Sequence, residues 1–194
     1  MKIPEKSFSS ENFAVNWQRL LPQGALIMLV GMIVALSSIL NAEAVVLAAK
    51  GYSWLPLTGI IIFVLGLQEC LEAFFAKISR EFHQNLQVGI LDMVIGALIF
   101  LSISGEPQRL SMMIAAFLIV RGSVRISLVH ALDLPQALST TIFGAISIIL
   151  GLSLFFEWPT TQAWYMSFCL DIEIAFRGWA MMMFALWVKQ RDAE

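Results

Sequence analysis

The chain has 194 residues, 59% hydrophobic and 13% charged, with a formal net charge of −2 and a mean hydropathy of +0.80. Soluble domains carry about 25% charged residues, so too few charges are present to clothe a water-facing surface, and lipid is the expected solvent. No basic tract suggests a nucleic-acid partner.

In chain order, the polar segment 1–22 comes first and is expected on the cytoplasmic side. Within it Phe13, Trp17 and Leu20 recur at helical spacing, which fits either a short amphipathic helix on the inner leaflet or a tail anchored by one Trp. The first apolar run lacks a small-residue cleavage site, so it reads as a retained signal anchor. Six runs approach the length of about 20 mostly apolar residues that crosses a bilayer: 24–40, 54–76, 86–103, 110–128, 138–156 and 163–188. Segment 41–53 is the longest outer loop, and its stretch Ala44 to Ala49 either extends the first helix or rests at the interface. Ser104-Gly105-Glu106-Pro107 marks a turn with Pro placed to start a helix, and Glu157-Trp158-Pro159 marks another. The organisation predicted is an all-α integral membrane domain over 23–188 and a cytoplasmic tail over 189–194.

Orientation follows from the basic residues of the short loops. Lys2, Lys6, Arg19, Lys77, Arg80, Lys189 and Arg191 fall on one side, with Arg121 and Arg125 near it, against Lys50 and Arg109 on the other. Both termini are therefore expected in the cytoplasm.

The chain also repeats itself. Odd-numbered runs carry glycine pairs seven residues apart: Gly24 and Gly31, Gly89 and Gly96, Gly144 and Gly151. Seven residues is two helical turns, so each pair shares a face. Even-numbered runs carry Gly66, Gly122 and Gly178, which follow the first glycine of each repeat by 42, 33 and 34 residues. Three two-helix repeats result, over about 24–76, 86–128 and 138–188. With two spans each they run parallel, unlike the inverted repeats of many transporters. Helix packing by close backbone approach is the expected role of the nine glycines, with a pore lining as the alternative.

The run Val88-Gly89-Ile90-Leu91-Asp92-Met93-Val94-Ile95-Gly96 resembles the HdeD-type acid-resistance membrane protein family, a group built from a short membrane repeat of unknown function. Phe143-Gly144-Ala145-Ile146-Ser147-Ile148-Ile149-Leu150-Gly151, followed by Phe155-Phe156-Glu157-Trp158-Pro159, is similar to the same pattern. The likeness extends from Gly24 to about Leu186, clearest in the second and third repeats. It implies a small multi-pass protein of the bacterial inner membrane linked to acid or envelope stress, and it brings no catalytic residues. Extra charges in the spans depart from the plain pattern.

Those charges are Glu69, Glu72, Asp92, Arg121, Arg125, Asp171, Glu173 and Arg177. Each costs about 3 kcal/mol at a helix centre on the insertion scale, so each must face protein or water. The first five fall in the cytoplasmic half by depth. Superposing the repeats on their glycines aligns Glu69 with Arg125 and Arg121 with Arg177. A cluster joining Glu69 or Glu72 and Asp92 to Arg121 and Arg125 is expected. Glu173 and Arg177 stand at i,i+4, which allows a pair within one helix, and Asp171 lies nearer the midplane. Five acids oppose three arginines, so two acids are left without one. Internal pairs that fix helix register, a proton or ion path, and docking to a charged partner helix all remain open.

Other residues carry less. Cys70 and Cys169 sit in apolar runs and read as small buried side chains. His83 and His130 lie near helix ends and match no metal motif, and Met181, Met182 and Met183 read as packing residues. No constellation for a nucleophile, metal or cofactor is present, so an enzyme is not expected. The expected function is that of a non-catalytic HdeD-type protein. The alternatives are an accessory subunit of a larger membrane complex and a small proton or ion channel or transporter. The lipid bilayer is the expected partner, with a homo-oligomer or a larger complex open.

Overall fold

A computed structural model describes residues 17–43, 54–75, 79–101, 107–131, 137–160 and 162–191. They form six helices: α1 Trp17–Leu40, α2 Leu55–Phe75, α3 Ser79–Leu101, α4 Pro107–Ala131, α5 Ala137–Phe155 and α6 Ala163–Arg191. Among the described residues there is no strand. In hydrocarbon a backbone must satisfy its own N–H and C=O groups, and a helix does so within one segment.

Four stretches are long and apolar enough to cross a membrane, Trp17–Leu40, Leu55–Phe74, Gln108–Ser127 and Leu138–Phe155, and they mark a membrane protein. The apolar part of α3, Leu86–Leu101, is shorter. The 29 residues of α6 carry Asp171, Glu173 and Arg177 in their middle.

Helix ends depart from the apolar runs at several points. α1 begins at Trp17, so Trp17 and Leu20 continue into the first apolar run as one helix. The rest of the expected interfacial segment lies outside the described residues, as do 44–53 of the long loop and 192–194 of the tail. α3 begins at Ser79, which puts Arg80 and His83 on a helix rather than in a loop. Pro107 opens α4, where its missing N–H costs no helical bond. α5 ends in a left-handed cap at Glu157, whose φ is 57°. The Trp158 N–H reaches the Ser153 carbonyl at 2.9 Å and the Glu157 N–H reaches that of Leu154 at 3.2 Å. These are the paired bonds of a Schellman cap, with Pro159 just beyond to stop the helix.

The polarity of the bundle is inverted relative to a soluble protein. Leu26, Ile33, Val64 and Phe74 lie on its outside, as does Ile149 at 63% exposure, whereas Asp92, Asp171 and Glu173 are buried at 1%, 0% and 4%. The core runs from Ile27, Leu55 and Ile62 through Ile99, Ile114 and Leu118 to Leu154, Met166 and Leu170.

The closest helix contacts join α1 to α6, α2 to α3 and α4 to α5. Each is antiparallel and built on glycine. A Cβ on Gly66 would stand 2.6 Å from the Met93 nitrogen and 2.7 Å from the Gly89 carbonyl. Gly122 faces Gly144, and Gly24 faces Gly178, in the same way. One step along, Gly96 lies on Gly59 and Phe63, Gly151 on Ala115 and Ile119, and Gly31 on Asp171 and Ala175. Dispersion between touching backbones replaces the hydrophobic drive that lipid does not supply. Gly59 takes part although it lies outside the nine glycines read from the sequence. The tight partner of each helix is thus not the helix that shares its repeat: α2 leaves α1 for α3, and α4 leaves α3 for α5. Beyond these pairs α6 also lies against α2, α4 and α5.

Two contacts mark the ends. The Lys189 ammonium lies 5.0 Å from the centre of the Trp17 ring, so α1 starts where α6 finishes. At the other end the Trp54 indole N–H donates to the Asn41 carbonyl at 3.2 Å, and Gln108 donates to Glu157 at 3.4 Å.

Candidate functional site

Asp92 is the centre of a buried charge network. It stands three residues after Gly89 on α3, one turn from the place where that glycine brings α3 against α2. Arg121, on α4, donates from Nη1 to Asp92 Oδ1. Arg177, on α6, donates from Nη1 to Oδ2 at 2.7 Å. One carboxylate is therefore held by guanidinium groups from two different helices.

Each arginine reaches a second acid. Arg177 Nη2 lies 2.5 Å from Glu69 Oε1 on α2 and 3.4 Å from the Leu65 carbonyl. Arg121 donates from Nε to Glu173 Oε1 at 3.2 Å. Arg125 donates to both Glu173 oxygens, at 2.5 Å to Oε1 and 3.3 Å to Oε2. Ser147, on α5, completes the Glu173 site with a hydroxyl bond to Oε2. The Arg121 guanidinium also lies 5.7 Å from the centre of the Phe117 ring, in cation–π range.

Three arginines thus meet three carboxylates, Glu69, Asp92 and Glu173, across α2, α3, α4 and α6. The charges balance, which is what a low-dielectric interior demands: an unpaired ion there costs several kcal/mol. Arginine suits the task because its planar fork addresses two acceptors at once. Beside the network is a cavity of about 10 Å³ bounded by Leu65, Asp92, Phe117, Arg121, Glu173 and Arg177, space for about one water.

The expected pairing holds in part. Asp92 meets Arg121 as expected. Glu69 goes to Arg177, and Arg125 goes to Glu173. The i,i+4 pair of Glu173 with Arg177 does not form: Glu173 turns to α4, and Arg177 to α2 and α3.

Two acids stand apart. Glu72 accepts from the side-chain amides of Gln23 at 3.0 Å and Gln68 at 2.8 Å, tying α1 to α2. Asp171 faces Thr58 on α2, whose hydroxyl lies 2.8 Å from Oδ1. Its Oδ2 is buried without a partner, as are Ser167 Oγ, Glu69 Oε2 and Arg177 Nε.

Open clefts lie between the two helices of the first repeat and between those of the second. One of about 250 Å³ between α3 and α4 is lined by Gln87, Val88, Leu91, Arg121, Val124 and Arg125. Another, of about 560 Å³ between α1 and α2, is walled mainly by apolar side chains, with Gln23 and Gln68 among them. The cleft between α3 and α4 opens onto Arg121 and Arg125 of the network.

Ser147, Thr58, Gln23 and Gln68 were not singled out from the sequence. Ser147 carried a signal, since it follows Gly144 by three residues as Asp92 follows Gly89. The other three are ordinary polar residues until the helices are packed. Cys70 and Cys169 are buried free thiols, and Cys70 lies 3.7 Å from the Met93 sulfur. Among the described residues no group of three His, Cys, Asp or Glu side chains is placed to hold a metal. In comparisons with family models, curated proteins and solved structures, nothing matches the chain.

Proposed function

We propose that the chain is a non-catalytic protein of the bacterial inner membrane, of the HdeD type, that serves in resistance to acid or envelope stress. All six helices span the bilayer as three parallel two-helix repeats, with both termini in the cytoplasm. The observation that carries this reading is the balanced network of three arginines and three carboxylates, which ties four helices together. With Asp92, Glu173 and Arg177 turned inward, α3 and α6 can cross lipid despite their charges. The repeats are supported by the recurrence of one glycine contact at Gly66–Gly89, Gly122–Gly144 and Gly178–Gly24. A bundle locked in this way suits a protein that must keep its shape in a stressed membrane, alone, as a homo-oligomer or within a larger complex.

The test is genetic. A strain lacking the gene is challenged with acid and with envelope-damaging agents, then complemented with wild type or with Arg177→Met. The expected outcome is reduced survival, restored by wild type and not by the variant. Unchanged survival of the deletion strain under every challenge overturns the stress role. Fluorescent-protein fusions at either terminus test the orientation, since both should fluoresce if the termini are cytoplasmic.

A further inference from the structure

Among the described residues the network accounts for every deeply buried charged group but one. Asp171 is fully buried on α6, and its side-chain partner is the hydroxyl of Thr58. It stands two positions before Glu173, which turns it about 200° round the helix, away from the arginines of α4. The segments packed on it bring no charge: α1 from Met28 to Leu40 and α2 from Leu55 to Gly66 contain no ionisable residue. On α6 itself the neighbouring ionisable groups are Tyr165 and Cys169 on one side and Glu173 and Arg177 on the other. The last two are committed to the network.

The hydrogen-bond geometry is informative. The Thr58 hydroxyl has one hydrogen and two acceptors within reach, Asp171 Oδ1 at 2.8 Å and the Trp54 carbonyl at 3.3 Å. With a carboxylate at 171 it can serve only one of them. With a carboxylic acid there, the acid donates to Thr58 Oγ1, and Thr58 donates to Trp54, so both contacts are made. Ser167, one turn away on nearly the same face, holds a second buried oxygen without a partner.

We propose that Asp171, with Thr58 and Ser167, forms an internal proton-binding site, separate from the ion-pair network, in which one proton on the carboxyl takes the place of the missing cation. The carboxyl lies where α6 meets α2 at Thr58, while the backbone carbonyl of the same residue is 2.8 Å from a Cβ built on Gly31 of α1. Gain or loss of the proton therefore acts on the contact between α2 and α6. The site does not depend on the stress-resistance reading and survives its failure.

The experiment is infrared difference spectroscopy on the full-length protein in lipid nanodiscs, in sodium-free buffer at neutral pH. Wild type should show the C=O stretch of a protonated carboxyl, Asp171→Asn should lack it, and Thr58→Val should keep it at a shifted frequency. If Asp171→Asn does not fold, the wild-type and Thr58→Val pair decides, because only a protonated Asp171 gives a band that this change displaces. A wild-type spectrum without a protonated-carboxyl band overturns the proposal. So does a band that Asp171→Asn leaves in place, or one that Thr58→Val leaves unmoved. A third arm titrates sodium against choline at fixed pH. No change in melting temperature is expected, whereas a rise in wild type that Asp171→Asn abolishes would assign the site to sodium and overturn the proton.

Discussion

Arg177→Met is the most informative single change in the network. Methionine keeps an unbranched apolar stem in roughly the same space and removes the guanidinium. Two ion pairs go with it, 2.7 Å to Asp92 and 2.5 Å to Glu69, along with the 3.4 Å hydrogen bond to the Leu65 carbonyl. Asp92 keeps Arg121, but Glu69 loses the one salt-bridge partner it has among the described residues. The side chains are only 10% and 18% exposed, so water cannot take over. Removing one partner of a buried pair costs about 3–5 kcal/mol, mostly the penalty of the stranded charge. For a protein of this size each kcal/mol moves the melting temperature by about 2–4 °C, so a fall of roughly 6–20 °C is expected. The assay is thermal unfolding in mild detergent, followed by tryptophan fluorescence. Glu69→Gln in the same background removes the stranded charge and should return about 1–3 kcal/mol as a coupling energy. A loss below about 1 kcal/mol, the range of an exposed pair, or strict additivity of the two changes, would refute the buried-network account.

Three further outcomes follow from the same geometry. Arg121→Lys keeps the charge but loses the fork that spans Asp92 and Glu173; it should destabilise the protein although net charge is unchanged, and recovery of full wild-type stability would count against bidentate bridging. Gly66→Ala should cost about 1–3 kcal/mol, because its Cβ meets backbone at 2.6 and 2.7 Å. Gly59→Ala should cost less, because its nearest contact is the Ile99 Cγ2 methyl at 2.9 Å, and paired melts of the two variants compare them. Cys70 and Cys169, both buried, should resist maleimide in the folded protein and react after denaturation, as mass spectrometry would show.

Much of the architecture is legible in the primary structure. Helical content follows from long apolar runs, and Pro107 opens a helix where the turn signal places it. The nine glycines stand at close contacts because residues seven apart return to one face of a helix, a property of the chain alone. Eight ionisable residues inside apolar runs were visible for the same reason, since charge is rare there, and an arithmetic excess of two acids over the arginines needs no structure.

Which acid meets which arginine was decided by packing. Spacing at i,i+4 made Glu173 and Arg177 candidates for each other, yet each has a partner on another helix. Local spacing says only that two groups can meet, whereas helix phase and a long guanidinium arm determine which neighbour is nearer. The tight pairing of α2 with α3, α4 with α5 and α6 with α1 was likewise beyond reach, because a glycine face records that a partner comes close and not which one. Tertiary structure also separated the two surplus acids: Glu72 fell among side-chain amides at an exposed rim, and Asp171 in an uncharged seam with Thr58. The difference between them is burial, which depends on helices distant in sequence and is written in no single segment.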